Sequence, residues 1–108
     1  MKFPILSKNS SLNIDNDNYT LEQLSEKLEI EQKELNKAIM EDRNKGVIAE
    51  ELFDTIQTCI GMLNKLSEDG IDMRYLALKH EKKLIKLGWR WRGYIEFKTM
   101  IMERNLKK

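Results

Sequence analysis

The stretch VIAEELFDTIQTCIGMLNKLS, residues 47–67, decides the fold. Ile48, Leu52, Ile56, Cys59, Ile60, Leu63 and Leu66 recur three and four positions apart, the period of a helix with one broad apolar stripe. Within that stripe Cys59 reads as a small buried apolar residue. Val47, Phe53 and Met62 fall outside it, so the helix is apolar over more than one face. That suits contact with its own chain and with a second subunit, and an oligomer is expected.

The neighbouring segments repeat the helical pattern. Upstream, Thr20 and Gln23 have the spacing of a capping box, and Leu21, Leu24, Leu28, Leu35 and Ile39 follow a 3.6-residue period. The spacing predicts a first helix over about 21–42, broken by DRNKG (42–46) with Gly46 at its end. Downstream, SEDG (67–70) ends the second helix, with Gly70 suited to a left-handed terminus. Asp72 then caps a third helix over about 73–87, with Met73, Leu76, Ala77, Leu84 and Leu87 inward and Gly88 as its stop. Residues 1–19, which hold the only proline, Pro4, read as an irregular arm with short β segments that folds over the body. In WRWRGYIEFK (89–98), Trp89, Trp91, Ile95 and Phe97 alternate, which predicts a short strand or extended cover before a basic tail over 98–108. The expected fold is all-α: an antiparallel bundle of three main helices over 20–97, with short extended N- and C-terminal segments, completed by oligomerisation.

Bulk properties narrow the function. A chain of 108 residues fits one domain with a modest core. Charged residues make up 34% of it, yet the net charge is only +1, so the whole molecule has no strong pull toward nucleic acid or anionic membrane. The aromatic and arginine interleaving of WRWRGY is the composition of a single-strand platform, but it is one short segment in a near-neutral chain, and nucleic acid is not an expected partner. A single cysteine rules out an internal disulfide framework and fits a cytoplasmic setting. No apolar run reaches about 20 residues, so membrane spanning is not expected. Export is not expected either, for want of a basic region followed by an apolar one at the start. His80 falls on the third helix's apolar side and reads as a core or interface histidine, since no second histidine exists to complete a zinc set.

Acids interrupt the apolar pattern in two places. Glu31 falls about 60° from Leu28, inside the first helix's stripe, and Glu34 about 120° away on the same edge. On the second helix Glu51 and Asp54 lie about 100° and 160° from Leu52, a less inward pair. Carboxylates against apolar surface are costly unless a base or a divalent cation compensates them. Four acids at i and i+3 on two antiparallel helices would surround hard cations with oxygen ligands, an environment that Mg²⁺ prefers.

EQKELNKAI (31–39), with sixteen residues between Glu34 and Glu51, and then EELFDTIQTCIGML (50–63), resembles the MazG-like nucleoside triphosphate pyrophosphohydrolases. Those belong to the all-α NTP pyrophosphatase superfamily, together with the dimeric dUTPases. The family mark is ExxE on one helix and ExxD on the next, matched by Glu31/Glu34 and Glu51/Asp54. KHEKKLIKLGW (79–89) looks like its third segment. The resemblance covers about residues 20–97 and is nearest to the short single-domain versions of Firmicutes and their phages. The chain departs from the family where Ile30 precedes Glu31, where Glu81 stands in an asparagine position, and where Lys86 replaces an arginine.

The resemblance implies hydrolysis of an NTP or dNTP to the monophosphate and pyrophosphate, by attack of a metal-activated water on the α-phosphorus. Glu31, Glu34, Glu51 and Asp54 would hold Mg²⁺, with Mn²⁺ a substitute, and one glutamate not fully engaged by metal would serve as general base. Lys83 and Lys86 are candidates to contact the triphosphate, with solvated lysines on an exposed helix end as the alternative, and Trp89 is a candidate to stack on the base, with closure of the core as the alternative. The expected assembly is a homodimer or homotetramer. The competing reading is a non-catalytic helical oligomerisation or regulatory module that keeps the fold without turnover.

Overall fold

The computed structural model describes residues 3–95. Its elements are β1 (Lys8–Asn9), β2 (Ile14–Asp15), a 3₁₀ turn (Asn16–Asn18), α1 (Leu21–Met40), α2 (Lys45–Glu68) and α3 (Met73–Lys86). The expected all-α architecture is what is seen: three helices, two of them packed together, with a short extended segment before them. Phe97 and the basic tail 98–108 lie outside the described residues. Residues 89–95 form no strand, contrary to the alternation of Trp89 and Trp91.

Each helix begins at a side-chain cap. The Thr20 hydroxyl accepts from the Gln23 N–H at 3.1 Å while the Gln23 amide oxygen accepts from the Thr20 N–H at 2.8 Å, the reciprocal bonds that the sequence spacing predicts. Asn44 caps α2 through Val47 N–H, and Asp72 caps α3 through Tyr75 N–H. All three helices end in the same way. A residue with positive φ sends its N–H back three residues and the next N–H reaches back five, satisfying carbonyls that the last turn leaves open. Gly70 and Gly88 take that position with φ of 95° and 94°. At the end of α1 it is Asp42, with φ of 54°. The first break therefore falls at Asp42, within DRNKG as expected, and Gly46 at the end of that stretch lies inside the first turn of α2 because Asn44 caps the helix two residues earlier.

α1 and α2 run antiparallel and form the main contact. Its centre is narrow: Leu24 at 5% exposure, Ala38 at 3% and Thr58 at 6% are the only buried residues among those described. Thr58 tolerates this place because its hydroxyl donates to the Asp54 carbonyl at 3.2 Å, within its own helix. Thr58 thus marks the inward face of α2, with Asp54 one turn and Glu51 two turns before it on the same side. The apolar stripe is only partly covered: Ile48, Ile56, Ile60 and Leu66 are half-buried. Cys59 is exposed, against the expectation of burial, and Leu52 and Leu63 are exposed with it.

The N-terminal arm lies over α2, as its composition suggested. β1 pairs with β2 in a hairpin turned by Asn13 at φ 55°, and the Asn9 side chain accepts from Leu12 N–H at 3.2 Å. Gln57 donates to the Pro4 carbonyl at 2.6 Å, and the Phe3 and Phe53 rings meet with centroids 5.7 Å apart, tilted by 60°. α3 makes no comparable contact with the other helices. Its apolar residues Leu76, Leu78, Ile85 and Leu87 are exposed, as is His80. No helix among the described residues is long and apolar enough to cross a membrane.

Candidate metal centre

Leu52 is exposed, but two acids around it, Glu51 and Asp54, approach α1. Glu31 of α1 and Glu51 and Asp54 of α2 each place a carboxylate oxygen within 4.8 Å of the others. On one octahedral Mg²⁺, cis oxygens lie about 3.0 Å apart and trans ones about 4.2 Å, so direct coordination of one ion by all three asks the side chains to draw in by up to about 1.8 Å. Glu31 and Glu51 are half-buried and Asp54 is exposed, so the cluster has a protected floor and an open side.

Electrostatics set this cluster apart from a solvated acidic edge. The Glu31 carboxyl is raised above the ordinary value of 4.5, first by burial and then by the charges of Asp54, Glu34 and Glu51, with Lys27 opposing them. One oxygen of Glu51, Oε2, is buried and has no hydrogen-bond partner among the described residues. A buried acceptor without a donor costs stability until something supplies positive charge or an N–H. Three converging carboxylates, one with an unpartnered oxygen and one whose pKa is raised, fit an oxygen-seeking divalent cation.

The four acids singled out by spacing thus divide. Glu31, Glu51 and Asp54 come together. Glu34 is exposed, acts on Glu31 through its charge, and stands outside the close group. Glu50, the acid beside Glu51, is exposed. Lys27 was not picked out from the sequence, although its place four residues before Glu31 on one helix face is the available signal. Lys83 and Lys86 are exposed at the end of α3 and are not among the charges that act on Glu31. Trp89 is 65% exposed and lines a separate cleft with Trp91. No protein-family model, curated protein or solved structure matches the chain.

Proposed function

We propose that the chain is a divalent-cation-dependent nucleotide pyrophosphohydrolase that cleaves an NTP or dNTP to the monophosphate and pyrophosphate. The observation that carries this reading is the convergence of Glu31, Glu51 and Asp54 around the unpartnered Glu51 oxygen. Three of the four acids in the ExxE and ExxD spacing of the MazG-like family are these residues. Mg²⁺ is the ion of choice, with Mn²⁺ a substitute, because the donors are all carboxylate oxygens. When bound, the ion neutralises phosphate oxygens and lowers the pKa of a coordinated water.

The chain's own groups then have separate tasks. Glu31, Glu51 and Asp54 hold the ion and fix where the triphosphate lies. Glu34, beside the group but outside it, takes the proton of the attacking water as general base. Lys83 and Lys86 contact the triphosphate as point charges and Trp89 stacks on the base. α3 carries or adjoins these three and stands clear of the α1–α2 pair, so a homodimer or homotetramer would bring them over the acids of another copy. The exposed faces of Leu52, Leu63, Leu76 and Leu87 supply apolar surface for that assembly. A setting in the cytoplasm, where nucleotides and Mg²⁺ are plentiful, completes the proposal.

The test is a screen of the purified chain against the eight common ribo- and deoxyribonucleotides, with Mg²⁺ or Mn²⁺. Pyrophosphate release from at least one of them is expected. Silence from all eight with both ions contradicts the proposal and leaves the non-catalytic module.

A further inference from the structure

The N-terminal arm closes a small cavity, of about 50 Å³, against α1 and α2. Ile5 and Leu6 line it from the arm, and they lie in the chain between two ties. Gln57 donates to the Pro4 carbonyl, and the Ser7 hydroxyl donates to Asp17 Oδ2 at 2.6 Å. The polar lining is incompletely satisfied. Asn16 Oδ1 is buried and has no hydrogen-bond partner among the described residues. Lys27 of α1 and Lys65 of α2 are half-buried, and neither makes an ion pair or a side-chain hydrogen bond among the described residues, where Arg43–Glu41 is the one salt bridge. Asp17 and Glu68 add two carboxylates, one oxygen of each engaged by Ser7 and by Asn64. The cavity thus lacks a donor for Asn16 and an acceptor for the two lysines, and groups left in that state cost stability.

We infer that this cavity binds a small free amino acid as its zwitterion, the carboxylate on Lys27 and Lys65 and the ammonium on Asn16 Oδ1, Asp17 and Glu68. The ligand has to carry both kinds of group. An anion alone leaves Asn16 without a donor and meets two carboxylates, and a cation alone meets two lysines. Two lysines and two acids cancel, which suits a ligand without net charge. Size limits the side chain: at about 10–15 Å³ of such space per water-sized group, the cavity takes roughly three to five heavy atoms, which is glycine. Water is the other occupant of that size, and the titration below separates the two. No residue given a task in nucleotide hydrolysis lines this cavity, so the inference goes beyond that reading and stands whether or not it holds.

Amide correlation spectra of the full chain read the cavity at the Asn16 side-chain amide and at the Gly61 N–H, which also lies on its lining. The titrants are glycine, acetate, methylammonium and inorganic phosphate, at neutral pH and fixed ionic strength, in EDTA to keep divalent ions from the acids. Saturable shifts with glycine are expected, with a Kd of about 1 mM or tighter. Acetate and methylammonium, which each carry one half of the ligand, should bind about tenfold or more weaker. Lys27→Met and Asn16→Leu, with helix content checked by circular dichroism, should each weaken glycine by about tenfold or more, the second read at Gly61. Glu51→Gln should bind glycine as wild type does. A cavity that holds water only gives no saturable shift with glycine and overturns the inference. Equal binding of acetate or phosphate makes it an anion site and equal binding of methylammonium a cation site, and either result overturns it, as does unchanged glycine binding in either folded variant.

Discussion

Glu51→Gln is expected to lower cation-dependent pyrophosphate release by about a hundredfold or more while leaving helix content unchanged. The size follows from position. Glu51 contributes one of three close carboxylates, and even groups that only support a metal ligand cost about 10- to 100-fold when removed. The fold survives because the substitution keeps the side chain's shape and removes a charge from beside two others. Glu34→Gln should behave differently. It stands outside the close group, so cation affinity measured by calorimetry stays near wild type while kcat falls about 10²- to 10⁴-fold, the range for a lost general base. Equal loss of cation affinity in both variants would place Glu34 among the ligands instead.

The second large effect is on stability. In EDTA the three acids repel one another, and a cation at 100 times its Kd stabilises the folded chain by about 2.7 kcal/mol. For a domain of this size that is a rise in Tm of about 10 °C, readable by differential scanning fluorimetry. Its pH dependence follows from Glu31. Because its folded carboxyl is raised, the ionised form costs folded-state stability, so the cation-free chain gains stability as pH falls through that raised value toward the unfolded one. Cation binding needs the ionised form. The melting difference between Mg²⁺ or Mn²⁺ and EDTA should thus be largest near neutral pH and shrink as pH falls through the raised carboxyl. Glu51→Gln should abolish most of it. A difference that grows toward acid pH would contradict the site.

The helices and their caps were legible in the residues because they depend on local chemistry. Thr20 with Gln23, Asp72, Gly70 and Gly88 act within a few positions of themselves, and spacing alone displays them. Asp42 is equally local, but only the DRNKG break around it was legible: an aspartate in a left-handed terminus has no signature that separates it from any other loop aspartate. The facing of α2 was not legible. Periodicity finds the most apolar stripe but does not say which neighbour covers it. Here Thr58 is buried while Cys59 and Leu63 are exposed.

That facing has a direct bearing on the site. Glu31 stood out in the sequence as an acid inside an apolar stripe. Glu51 and Asp54 looked peripheral, about 100° and 160° from Leu52, and became central only once Thr58 marked the contact. Spacing grouped Glu34 with Glu31 because i and i+3 share a face, yet three residues of helix also carry a side chain toward solvent. The departure of α3 from the other helices has no local sequence signal. It depends on long-range packing, or on a second copy of the chain.

Hydrolysis in ¹⁸O-labelled water tests the central claim most directly, because it reports both that the reaction occurs and which phosphorus is attacked. With Mg²⁺ and a nucleotide that the chain accepts, the label should appear in the nucleoside monophosphate and not in pyrophosphate. Label in pyrophosphate, or no pyrophosphate released from any nucleotide, would contradict the account.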